Sequence, residues 1–404
     1  MTKSAYAMIT VEEALRMVLA QAQPLPPARV KLADALGLAL AEDALAQDPM
    51  PPFPSAGVDG FAIRVEDGRA PRAFQGEQMA GVVSGLRVAP GGAVRITTGA
   101  PVPPGADAIV MVEVAEEVNG QVILRHLPGA GDGIRPVGQD IRAGEVVLSR
   151  GTPLGAAEIG LLATIGKGEV LAHPRPRVAV FSTGDELVEV ETALAPGKIR
   201  DSNRHALMAA VRASGAEPLS LGVARDNPAD VEAKIDEALA AADAVISSGG
   251  VSMGKLDLVK PLLERRGTIH FGRVVMKPGK PVTFATIGGK PLFALPGFPV
   301  SSLVSFELFV RPALRRMAGH QQVTRPRIRV ALAHDVQHDA ARTEFQRAVA
   351  AYEDGQVVAR TTGFQGSGRL LSLVGANVLL VLSAGRGDFA KGETVEALVV
   401  GEIY

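Results

Sequence analysis

The chain has 404 residues, with 42 Lys plus Arg against 43 Asp plus Glu and a formal net charge of -1. That balance excludes a global electrostatic pull toward nucleic acid or an anionic membrane, and the length suits roughly two to four domains. Cysteine is absent, which excludes disulfides, thiolate-bound zinc, iron–sulfur clusters and thiol catalysis.

No apolar run approaches the roughly 20 residues needed to cross a bilayer. Met1-Thr2-Lys3-Ser4-Ala5-Tyr6 has no apolar signal region, so a soluble cytoplasmic protein is expected. The 45 glycines and 28 prolines point to turns and Gly-rich loops in place of a helix bundle. In chain order, Thr10-Val11-Glu12-Glu13 reads as a capping box opening a helix to about Gln21. Leu32 to Ala46 reads as a second helix, and a Pro-rich passage at Pro49, Pro51, Pro52 and Pro54 as a boundary. Short apolar runs from about Phe61 to Val147 predict a β-rich domain, with Asn119-Gly120 as a hairpin turn. Leu154 to Ile165 returns to helix.

From Arg177 to Gly319 strands alternate with helices, which predicts an α/β domain with a mostly parallel sheet. Its strands are expected at Val178–Ser182, Leu219–Val223, Ala244–Ser248, Ile269–Val275 and Phe293–Leu295. Helices are expected from Ser202 to Arg212, after Asn227-Pro228, over Leu256–Arg265 and over Val300–Met317. The tail is β again, at Arg327–Leu332, Arg347–Tyr352, Gln356–Arg360, Asn377–Leu382 and Val395–Val400, with a turn at Asp354-Gly355. The fold class is therefore α/β plus β: a central α/β domain, β-rich domains on either side in sequence, and a C-terminal β-barrel-like domain. The expected divisions are residues 1–24, an N-terminal helix packing on the α/β domain; 25–48 with 146–175; 49–145; 176–322; and 323–404.

Ligands of open α/β sheets sit beyond the carboxyl ends of the strands. Three loops leave strands at that edge: Ser182-Thr183-Gly184-Asp185-Glu186, Ser247-Ser248-Gly249-Gly250-Val251-Ser252, and Leu295-Pro296-Gly297-Phe298-Pro299-Val300-Ser301-Ser302. Paired glycines admit an anion to backbone N–H groups, and a helix start adds partial positive charge. After the expected Ile269–Val275 strand, Lys277-Pro278-Gly279-Lys280-Pro281 holds two ammonium groups on a stiff frame suited to an oxyanion. Glu186, Asp226 and Asp257 gather near the same loops. Carboxylates beside an anion imply a hard divalent cation such as Mg²⁺. The plainer readings are strand-to-helix turns, a solvated lysine turn and helix caps, the last especially for Asp201 and Asp226. His334-Asp335-Val336-Gln337-His338-Asp339 reads as a polar surface turn.

Together these strings resemble the MoeA family of molybdopterin molybdenumtransferases, also found as the E domain of gephyrin. Those that carry the resemblance, in family order, are Val58-Asp59-Gly60-Phe61-Ala62, Arg95-Ile96-Thr97-Thr98-Gly99-Ala100-Pro101, Phe181–Leu187, Ile246–Ser252, Lys277–Pro281 and Leu295–Ser301. The resemblance implies four subdomains, an elongated homodimer and Mg²⁺, while the charge balance and the lack of a long apolar run predict no membrane or nucleic-acid partner. It implies insertion of molybdate into adenylylated molybdopterin with release of AMP, with other cofactor-biosynthesis proteins as possible partners. The site would lie between the α/β domain of one subunit and a β domain of the other. By the same resemblance, molybdate would meet Lys277, Lys280, Ser301, Arg347 and Ser367. Phosphate and pterin would meet Gly249, Gly250, Ser252, Pro296 and Pro299. Metal and nucleotide would meet Glu186, Asp226 and Asp257, while Asp59, Thr98 and Asp140 would come from the β-rich second domain.

The chain departs from the family pattern at Ser55-Ala56-Gly57-Val58, where Asn-Ser-Ala-Met is usual, and at Phe61, usually Tyr. It departs also at Gln139, usually Glu, and at Phe298, usually Asn. An enzyme that adenylylates molybdopterin is one alternative, although that domain normally stands without the β segments. A scaffold or inactive paralogue is the alternative from another class.

Overall fold

A computed structural model describes residues 6–250 and 258–403 of the protein. The chain divides into two compact units, one of Met1–Ala41, Gly151–Gly155 and Glu169–Tyr404, the other of Glu42–Arg150 and Ala156–Gly168.

In the larger unit the capping box forms as the sequence predicts. Thr10 Oγ1 accepts the Glu13 amide at 3.1 Å, Glu13 returns the bond to the Thr10 amide at 2.9 Å, and helix Val11–Gln21 follows. The α/β sheet has six strands: β1 Arg177–Thr183, β2 Glu217–Ala224, β3 Ala244–Ser248, β4 Thr268–Phe271, β5 Thr283–Ile287 and β6 Lys290–Leu295. Their order is β2-β1-β3-β6-β5-β4. The first four are parallel, while β5 runs against its neighbours and pairs antiparallel with both β6 and the edge strand β4.

Period-two alternation on β1 divides the core. Val178 and Val180 face a cluster that takes in the N-terminal helix, Ser202–Ala213 and the helix beginning at Pro299. Ala179 and Phe181 face helices Pro228–Ala241 and Val259–Arg266. Both faces are covered, so the parallel strands read as continuous apolar runs. Each fully buried Phe or Leu contributes roughly 1.5–3 kcal/mol relative to exposure.

The C-terminal sheet closes on itself. Strands Arg327–Leu332, Thr343–Glu353, Gln356–Thr361, Val378–Leu382 and Thr394–Val399 form a five-stranded barrel. Asp354 and Gly355 take positive φ in the expected hairpin.

Two expectations need correction here. Leu32 to Ala46 is not a helix: it holds a short 3-10 turn, Leu32–Asp34, and the strands Ala39–Leu40 and Ala44–Leu45. The flanking Ala and Leu residues are good helix formers, but tertiary pairing of Ala39–Leu40 with Glu169–His173 overrides propensity. The strand expected over Ile269–Val275 ends at Phe271. Met276–Lys277 leaves the α/β sheet and pairs in parallel with Thr343 and Glu344 of the barrel.

The second unit carries a six-stranded sheet that includes Gly60–Ile63, Gly92–Ile96 and the hairpin Ala115–Val118/Gln121–Leu124. Asn119 and Gly120 take positive φ at its turn, as the sequence predicts.

Candidate functional site

Three strand-end loops of the α/β sheet converge on one cleft of 790 Å³. Glu186, Asp226, Gly249, Gly250, Pro296 and Pro299 all line it. Gly249 has φ +95°, and a Cβ there would stand 2.6 Å from the Thr183 carbonyl oxygen. Gly250 has φ +66°, and a Cβ there would stand 2.9 Å from the Thr183 hydroxyl oxygen. Only glycine fits two such positions, so the backbone at the end of β3 stays bare toward the cleft.

Asn203, which the sequence marks only as part of the helix cap Asp201-Ser202-Asn203, ties the loops together. Its side-chain amide donates to Ser248 Oγ at 2.8 Å and to the Gly297 carbonyl at 2.7 Å. Asp201 is a cap, as the plainer reading had it. Buried, it accepts the Arg204 amide at 3.1 Å, the Arg204 Nε at 2.9 Å and the Ser182 hydroxyl at 2.9 Å. The Asp226 carboxylate accepts the Asp185 amide at 3.2 Å, and the Asp185 carboxylate accepts the Asp226 amide at 3.3 Å. Ser252 and Asp257 lie outside the described residues. Among the described residues no group of three or more His, Asp or Glu side chains forms a ready metal cluster.

A second cavity, of 610 Å³, opens on the barrel side of the same unit. Lys277, His334, Glu344, Gln346 and Gln365 line it. Lys277 Nζ sits 2.9 Å from Glu344 Oε1. Glu344 is almost wholly buried. Burial alone would raise its pKa, but hydrogen bonds from Lys277 and His338 and the charge of Lys277 hold it below the usual carboxylate value.

His338 corrects the surface-turn reading of residues 334–339. Its side chain is fully buried, with Nδ1 3.2 Å from Glu344 Oε2 and Nε2 3.0 Å from the Ser383 carbonyl. The signal was thin, because a histidine in a polar run reads as solvated. Lys280 is partly buried on the same frame, which turns through Gly279 at φ +104°.

Arg347 is completely buried. Its Nε donates to Ser372 Oγ at 3.1 Å, and longer bonds reach the carbonyls of Phe345 at 3.4 Å and Gly366 at 3.5 Å. Burial pulls its pKa down to about 10, with the Glu344 charge opposing. Ser301 is buried in the first turn of helix Pro299–Ser305. Beside it, the Val300 amide donates to the Ser367 carbonyl at 3.1 Å. The loop 365–368 therefore borders both spaces, with Gly366 on the barrel cavity and Gly368 on the cleft.

In the second unit, Asp59 Oδ1 accepts the Thr98 amide at 2.6 Å and the Thr98 hydroxyl at 2.9 Å. These bonds, amide first, lower the Asp59 pKa, and Arg95 adds to the effect. Asp140 pairs with Arg135. Strand Ile134–Arg135 pairs with Ser55–Ala56, which begins the loop that carries Asp59.

Comparison with known proteins agrees with this architecture. Residues 9–166 match the family described as "MoeA N-terminal region (domain I and II)". Residues 179–316 match "Probable molybdopterin binding domain", and 329–400 match "MoeA C-terminal region (domain IV)". A molybdopterin molybdenumtransferase of Haemophilus influenzae is 35% identical, over 96% of this chain and 98% of that protein. Gephyrin of Dictyostelium discoideum is 36% identical over 99% of this chain, which spans 63% of the gephyrin length. The solved molybdopterin biosynthesis MoeA protein of Pyrococcus horikoshii superposes with a TM-score of 0.83 at 30% identity, covering 97% of this chain and 100% of that one. With a full-length relative at that identity and all three family regions present in order, the chain belongs to the MoeA family of molybdopterin molybdenumtransferases.

Proposed function

We propose that this protein inserts molybdate into adenylylated molybdopterin, releasing AMP and forming molybdenum cofactor. One observation carries the reading. The Gly-lined cleft and the lysine-bearing cavity share a single loop, fastened by Val300 N–H to the Ser367 carbonyl at 3.1 Å. A nucleotide-bearing substrate and a small oxyanion would then lie side by side, which supplies proximity.

In this reading Gly250 presents its backbone N–H to the phosphates, Gly249, whose N–H is held by the Leu295 carbonyl at 3.1 Å, leaves room for them, and Pro296 and Pro299 shape the opposite wall. Ser252 follows two residues after Gly250 in the sequence. Lys277, Lys280, Ser301 and Ser367 receive molybdate, a dianion well matched by ammonium and hydroxyl donors. Direct contact from Arg347 would exchange its two long carbonyl bonds for the oxyanion; otherwise it fixes the loop. Asp59, Thr98 and Asp140 would be supplied by the β-rich unit of a second copy in a homodimer.

Glu186 and Asp226 line the cleft, and no histidine joins them there among the described residues. That all-oxygen donor set fits Mg²⁺. Glu186, Asp226 and Asp257 would hold the ion, which when bound would neutralise charge developing on the phosphates. The chain's own residues orient the anhydride, exclude water and fix the oxyanion.

The test supplies adenylylated molybdopterin, Mg²⁺ and molybdate, then follows AMP release and reconstitution of an apo-molybdoenzyme. Molybdate-dependent appearance of both is expected. Formation of adenylylated molybdopterin from ATP without metal insertion would favour the adenylyltransferase reading instead.

A further inference from the structure

The cavity that holds Lys277 also holds the charge that controls it. Met276–Lys277 runs beside Thr343–Glu344, placing Lys277 opposite Glu344 in register. On its other side Glu344 pairs with Leu382, so the carboxylate sits inside the barrel sheet. Oε1 is 2.9 Å from Lys277 Nζ, and Oε2 is 3.2 Å from His338 Nδ1. The Lys277 side chain is 39% exposed while that of Glu344 is 2% exposed. One end of the pair is therefore anchored and the other faces the cavity. A free lysine spreads over many rotamers. Here that freedom is lost on folding, before any ligand arrives, which is preorganisation.

We propose that Glu344 is a positioning residue for oxyanion capture. It pins the Lys277 ammonium on the cavity wall, and the remaining N–H groups of that ammonium meet the tetrahedral anion. This rests on the reading that Lys277 contacts molybdate. The carboxylates of Glu344 and of Asp335, which also lines the cavity, would repel a dianion, and the charges of Lys277 and of the Arg347 guanidinium, three residues along the strand, oppose them.

The test measures KM for molybdate and for adenylylated molybdopterin in the full-length protein. Glu344→Gln raises the molybdate KM by about tenfold to a hundredfold, the scale of a misplaced contact. The nucleotide KM and the rate at saturating molybdate stay near wild type. Glu344→Asp recovers part of the loss. In a Lys277→Met background Glu344→Gln adds nothing, because it acts through Lys277. A molybdate KM that stays constant or falls in Glu344→Gln overturns the proposal, as does full additivity of the two changes. If Lys277→Met itself leaves the molybdate KM unchanged, the assignment of Lys277 to molybdate fails as well. Should Glu344→Gln not fold, Glu344→Asp carries the test. Its carboxylate retreats by one methylene, and the same selective rise is expected, an unchanged value being the contrary result.

Discussion

The cleft and the cavity present different surfaces to a ligand. At the strand ends of the α/β sheet, the wall is main chain laid bare by Gly249 and Gly250, with Asn203 bracing the loops. On the barrel side, the wall is charge, a half-exposed lysine held by a buried carboxylate. The first surface fails when volume is added, and the second when charge is removed. Steric and electrostatic substitutions therefore separate the two, although one loop borders both.

The largest effect should come from Lys277→Ala. Molybdate binding should weaken by about 2–5 kcal/mol, as when one partner of a hydrogen-bonded charge pair is cut away. Thermal stability should fall too, because Glu344 loses its one lysine partner and keeps only His338 and Gln346. Wild-type turnover at low molybdate in that variant would remove the lysine from the site. Gly249→Ala comes next. Strained φ in a non-glycine residue costs about 1–3 kcal/mol, and the Thr183 carbonyl must also move. Denaturant titration should show this loss with weakened nucleotide binding. Gly289→Ala, with φ +79° and nothing within 4 Å, should show strain alone. Equal effects on nucleotide binding at the two positions would end the steric account of the cleft.

Acid stability sharpens the contrast further. His320 is buried beside Arg315 and Arg311, and burial first, then their charge, pull its pKa from 6.5 down to about 4. The unfolded chain takes up a proton before the folded one does. Stability is therefore full above pH 6.5 and lost as pH falls toward 4. Glu344, also lowered, keeps its contribution above its ordinary 4.5 and loses it at lower pH. Thermal midpoints measured from pH 7 to pH 3 should show both losses, and His320→Asn should flatten the upper one. An unaltered profile in that variant would acquit His320. Asp59→Asn is the mildest change. The exposed carboxylate bonds only locally to Thr98, so the melting temperature should hold while turnover drops. Normal turnover would exclude Asp59 from catalysis.

The cleft was largely legible in the sequence. Strand-loop-helix periodicity marks the carboxyl edge of a parallel sheet, and paired glycines mark where a ligand approaches backbone. The hairpins at Asn119-Gly120 and Asp354-Gly355 were equally plain, because positive φ limits the residues allowed there. The cavity was only half legible. The lysine frame stood out, but the pairing of Lys277 with Glu344 joins residues far apart in sequence, and periodicity carries no such information. The buried state of His338 and Arg347 was hidden for the same reason, since charge and polarity read as surface until tertiary partners are known. Leu32 to Ala46 misled in the opposite direction, with helix-forming composition overruled by strand partners.

The short strand Met276–Lys277 has a consequence for synthesis on the ribosome. Its partner, Thr343–Glu344, emerges only after the last α/β helix, Arg311–Met317, has been made. Local pairings within the barrel are available only later still. A nascent or truncated chain that stops near residue 322 would complete its α/β sheet while Lys277 lacked the Glu344 carboxylate that anchors it. The contact that anchors this lysine would then arrive last, and on the proposed reading a prematurely terminated product would hold the cleft without the completed oxyanion cavity.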